Sequence, residues 1–94
     1  MQRVRYTRHL ELRLRLRGIP YNLPRVIYRI SQERYFDRGT GKTIAVRRVK
    51  HKQKLREFAL IYEEDQYEVS LISIHPLKIY QKLNRIKSGR WQLL

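Results

Sequence analysis

From Glu33 to Ile74 the chain is a succession of strand-type segments, and this pattern constrains the fold more than any other feature. "ERYFD" and "KTIAVRRV" flank "RGTG", a loop whose glycines make positive φ cheap, which is a hairpin signal. In "REFALIYEE", Phe58, Leu60 and Tyr62 alternate with Glu57, Ala59, Ile61 and Glu63, the period of a strand. After "EDQ", "YEVSLISI" supplies a second tight antiparallel partner. Its Val69 and Leu71 point one way and Ile72 and Ile74 the other, so this strand is expected to be central and buried on both faces.

Helices are expected on either side of this sheet. "YNLPRVIYRIS" places Leu23, Val26, Ile27 and Ile30 at helical spacing, with Asn22 as N-cap and Pro24 in the first turn, and predicts a helix over Leu23–Ser31. A last helix is expected from Pro76, capped by His75 and ended by Gly89, with Ile79, Tyr80, Leu83 and Ile86 as its apolar stripe. Tyr62 and Tyr80 are read as core. The tail "RWQLL", residues 90–94, is expected either to fold back or to fray. "HLELRLRLRG" stays open: Leu10, Leu12, Leu14 and Leu16 alternate as in a strand, yet Leu and Arg favour helix, Thr7 can cap it and Gly18 can stop it. The order of elements reads as α+β.

With 94 residues and no linker or repeat, the chain is expected to be a single domain, 1–94. That is too short for the several βαβ units of a nucleotide hydrolase, although Gly41, Lys42 and Thr43 spell the end of a phosphate-binding loop. The full motif also needs a glycine where Phe36 stands, and a helix where "TIAVRRV" reads as strand. "FDRGTGKT" is a hairpin turn.

Charge points to the partner. The chain has 22 Lys plus Arg against 8 Asp plus Glu, a formal charge of +14, which attracts polyanions. Four of the acids, Glu63, Glu64, Asp65 and Glu68, fall together and form an acidic rim apart from the cations. The run "RRVKHKQKLR" contributes Arg47, Arg48, Lys50, Lys52, Lys54 and Arg56. If extended, it sets Arg48, Lys50, Lys52 and Lys54 on one face, about 6.5–7 Å apart, a spacing that suits successive phosphates of a single strand. The competing account is a solvated hairpin tip. Lys82 and Arg85 of the last helix, with Arg90 beyond it, extend the cationic surface as expected nucleic-acid contacts. His51 lies inside the basic run and His75 at a strand end, so both are candidate acid–base groups, against a structural role for each. No metal or other cofactor is expected: there is no cysteine, and no two of the three histidines sit at ligand spacing. The charged N-terminus and the lack of any apolar run of about 20 residues predict a cytoplasmic protein without a membrane partner.

Together, "HLELRLRLRGIP", a following helix and strands ending "VSLISIHP" resemble the RelE/ParE toxin superfamily, in particular its BrnT-like branch and related small domains of unknown function. His9, Arg13, Arg17, Gly18 and Ile19 match its first motif, and Leu71 to Ile74 its last. The resemblance implies a helix or helix pair, a curled antiparallel sheet of three to four strands and a C-terminal helix, and it resolves "HLELRLRLRG" as helix. It further implies a toxin-like RNA-binding protein, often paired with an acidic antitoxin, that cuts messenger RNA as an endoribonuclease, with the ribosome as a possible partner. Such cleavage needs no metal when the 2′-hydroxyl attacks the adjacent phosphate. His51 or His75 then serves as base or acid, and Arg47 or Arg48 stabilises charge. The family pattern places Arg near the position of His75 here. The alternatives are a basic nucleic-acid-binding module without catalysis, and an interaction protein for an acidic partner.

Overall fold

The computed structural model describes residues 2–94. In chain order these residues form β1 (Arg3–Tyr6), α1 (Arg8–Arg17), α2 (Leu23–Ile30), β2 (Glu33–Asp37), β3 (Lys42–His51), β4 (Lys54–Glu64), β5 (Glu68–Leu77), α3 (Ile79–Lys87) and β6 (Trp91–Leu93). The strands make one sheet in the order β1-β5-β4-β3-β2-β6. β1 runs parallel to β5, and the other neighbouring pairs are antiparallel. The expected antiparallel sheet of three to four strands, and the RelE-like architecture with it, is corrected to a mixed sheet of six. The difference lies in two short edge strands. β1 has only Val4 and Tyr6 to mark its period, and β6 is the tail, which folds back along β2 and buries Trp91.

α1 settles the open segment. Thr7 Oγ1 accepts from the Leu10 N–H at 3.1 Å, and Gly18 closes the helix at φ 62°. Helical geometry stacks Leu10 and Leu14 on the inner face, both buried, and leaves Leu12 and Leu16 in water. α2 forms where its spacing predicts, with Pro24 in the first turn, although Asn22 makes no side-chain cap bond. Both helices cover one sheet face over a core that includes Ile27, Phe58, Leu60, Tyr62 and Leu71. The other face holds a smaller core of Tyr35, Ile44, Val46, Ala59, Leu77 and Trp91, with the Tyr35 and Trp91 rings stacked at 5.3 Å.

Three expectations for β5 and α3 are corrected. Ile61 faces Ser73 and Tyr62 faces Leu71, so Ile72 is the extra residue of a β-bulge. The bulge reverses the alternation and brings Val69, Leu71 and Ile74 into the same core rather than onto two faces. β5 then continues to Leu77, so His75 and Pro76 are strand residues, not a cap and first helical turn. Pro76 is tolerated because β1 stops pairing at Leu71, so no β1 residue faces that part of β5. α3 begins after Lys78, whose N–H donates to the Gln81 side chain at 3.2 Å. Its Tyr80, expected in the core, is exposed.

The loop around Gly41 is a hairpin turn as read. The Asp37 carbonyl accepts from the Gly41 N–H at 2.7 Å, Gly41 takes φ 75°, and Lys42 opens β3 with its Nζ 2.8 Å from Glu63.

Candidate functional site

The basic run becomes the β3–β4 hairpin, closed by Lys52 and Gln53 at φ 51° and 66°. Positive φ at both residues is the signature of a two-residue turn that matches strand twist. This fold-back divides the expected one-sided ribbon. His51 pairs with Lys54 and Val49 with Arg56, which turns these residues toward the α1 side of the sheet. Arg48 and Lys50 point to the opposite side, with Lys52 at the tip. Arg47 is exposed and alternates away from Arg48.

On the side away from α1, strand register assembles a row. Arg48 of β3 faces Glu57 of β4, which faces Leu77 of β5. His75 stands two residues before Leu77 and so shares that face. These groups line a cleft of about 870 Å³, and Arg17 from the end of α1, Arg56 and Lys78 complete its cationic wall. Leu55 and Ile79 add apolar surface. Burial lowers the His75 pKa from its ordinary 6.5, and the charges of Arg85, Arg17 and Arg13 lower it further. At neutral pH the imidazole is therefore uncharged, the form that accepts a proton.

His51 occupies a different place. Its Nε2 lies 3.3 Å from the Gly18 carbonyl and its ring stands edge-on to Phe58 at 5.5 Å. It lines a smaller cleft of about 410 Å³ with Arg17, Lys54 and Arg56. The two histidines thus lie on opposite faces of the sheet, although their clefts share Arg17, Arg56 and Pro76.

Three expected nucleic-acid contacts are engaged within the chain. Lys82 Nζ bridges Glu33 and Glu57 at 3.0 and 2.9 Å, with 12% of its side chain exposed. Arg90 forks onto Asp37 at 3.0 and 3.2 Å. Burial alone would raise the Asp37 carboxyl, but the Arg90 pair and the Gly39 N–H hold it below its usual range. Arg85 lies 5.3 Å from the centre of the Trp91 ring. Among the described residues, Arg17, Arg47, Arg48, Lys50, Lys52, Lys54, Arg56 and Lys78 of the hairpin and cleft carry no side-chain hydrogen bond or salt bridge.

Glu57 and Arg17 were not among the expected site residues. The sequence signal for Glu57 was its parity with Ala59, which fixes the face but not the neighbour across the strand. Arg17 belongs to α1, and only the fold carries it to β5. Among the described residues no group of three or more His, Asp or Glu side chains is arranged to hold a metal ion. No helix among them is long and apolar enough to cross a membrane. No protein family, curated protein or solved structure matches the chain.

Proposed function

We propose that the chain binds single-stranded RNA along the β3–β4 hairpin and cleaves it in the His75 cleft. One observation carries this reading: the His75 imidazole lines a concave site walled by Arg17, Arg48, Arg56 and Lys78. RNA brings to such a site both an anion and an internal nucleophile. His75 takes the proton of a 2′-hydroxyl as its oxygen bonds to the adjacent phosphorus. The bond to the 5′-oxygen breaks, and that oxygen takes a proton from water. Arg48 and Arg17 balance the charge that builds on the phosphorane. A toxin-type role in cutting messenger RNA, implied by the sequence resemblance, is the biological form of this proposal. It rests on the cleft and no longer on a shared fold.

The test is incubation of the purified protein with RNA oligonucleotides in chelator. Products ending in 2′,3′-cyclic phosphate are expected, with no cutting at a 2′-deoxy position. His75→Ala and Arg48→Ala should each slow cleavage by about 10²-fold. Because the His75 pKa is lowered, kcat/KM should hold as pH falls through 6.5 and decline only below it. If about six of these cations contact phosphates, log K for binding should fall with a slope near −4 against log salt, roughly −0.7 for each contact. Cleavage that survives both substitutions overturns the site. Salt-sensitive binding without cleavage leaves a binding module.

A further inference from the structure

An amphipathic helix on a small domain normally turns its apolar stripe to the core. α3 does the reverse. Ile79, Tyr80, Leu83 and Ile86 recur at helical spacing, yet they stand 61, 56, 53 and 38% exposed. The side that faces the sheet carries Lys82 and Arg85, held by Glu33, Glu57 and the Trp91 ring. These bonds fix the roll of the helix, since turning the stripe inward would strip both carboxylates of their cation. The exposed stripe is therefore built into the fold, and an exposed apolar patch of this kind marks a contact surface.

Charge decides what covers it. Exposed Lys78 and Lys87 border the two ends of the stripe, on a chain whose net charge is +14. A second copy would bring +14 against +14. RNA would find a stacking platform in Tyr80 alone, since Ile79, Leu83 and Ile86 neither stack on bases nor donate hydrogen bonds. We propose that α3 is the docking surface for a protein segment that is apolar along one face and acidic along its edges. Its apolar ridge would cover the stripe, and its carboxylates would meet the bordering lysines and be steered in by the field of the whole molecule.

Ile79 and Lys78 also line the His75 cleft, so the test turns on Leu83, which does not line it, and uses the full chain with a random peptide display library. Recovered peptides should carry Asp or Glu beside apolar residues three and four apart. Their affinity should fall by about tenfold or more in Leu83→Ser, the weight of a central contact residue. That variant keeps the net charge, so attraction to charge alone is unchanged in it. Leu83 lies in solvent, so the variant should keep the parent circular dichroism spectrum and its RNA binding. Peptides that are merely acidic, or that bind Leu83→Ser and Ile86→Ser as well as the parent, overturn the proposal. So does a concentration-dependent dimer in sedimentation that Leu83→Ser abolishes, which would make the occupant a second copy. Loss of RNA binding in Leu83→Ser would assign the stripe to RNA and overturn it too.

Discussion

Lys82 links the interior of the smaller core to the candidate site. Its ammonium holds Glu57, which lines the cleft, and Glu33, whose other partner is the Tyr35 hydroxyl at 2.6 Å. Lys82→Met should leave two carboxylates without their cation and cost about 2 kcal/mol by urea denaturation, less than a fully buried pair because Glu33 keeps contact with water. Burial by itself would lower the Lys82 pKa, but the bonds from Glu57 and Glu33 outweigh it and raise the pKa above 10.5. The stabilisation is therefore complete below pH 10.5 and lost as pH climbs through the folded value. Alkaline unfolding should begin earlier in a Glu57→Gln variant. At this scale the sequence exposed chemistry but not company. His75 and Arg48 were legible as ionisable groups near a strand end. That Lys82 spends its charge on two carboxylates was not, because its partners stand 49 and 25 residues away.

The β3–β4 turn carries local backbone strain. Lys52 and Gln53 both hold positive φ, which side chains other than Asn or Gly rarely accept. Replacing the pair by Asn-Gly should stabilise the hairpin by about 1 kcal/mol, measured as a shift in the urea midpoint. The same change removes one exposed cation from the tip, so the salt slope of RNA binding should become shallower by about 0.7. Elements announced by repeated apolar spacing were legible: α2, the hairpin of β2 and β3, and the pairing of β4 with β5. The leucines of α1 were ambiguous because i, i+2, i+4 and i+6 contain both a strand face and two helical neighbours, and only burial separates them. The Ile72 bulge was hidden because one inserted residue changes the face of every later side chain without changing composition. Pro76 misled for a similar reason, since a missing N–H suits the first turn of a helix and an unpaired strand edge alike.

Charge along the whole molecule is segregated by β4, which starts among the cations of the hairpin and ends at Glu63 and Glu64. At the acidic end every carboxylate is occupied: Glu63 by Lys42, Glu64 by Tyr28, Glu68 by Arg5, and Asp65 by the N–H groups of Tyr67 and Glu68. This polarity was legible as two clusters in the sequence. The sheet order was not, because β1 reaches its partner across the whole intervening fold, with Arg5 bonded to Ser70 at a separation of 65 residues. Such long-range pairing predicts refolding on the order of milliseconds to seconds, slower than a helical domain. β1 should close late, so Val4→Ala should speed unfolding in stopped-flow traces and barely change the refolding rate. Synthesis sets a longer clock. At roughly 5–20 residues per second, β1 waits roughly 3–13 s for β5 to be made. Arg17 waits with it, since the cleft has one wall from α1 and another from β5. A nascent chain therefore displays its basic segments well before its cleft is complete, and the cleavage proposed for that cleft would have to wait until β5 is made.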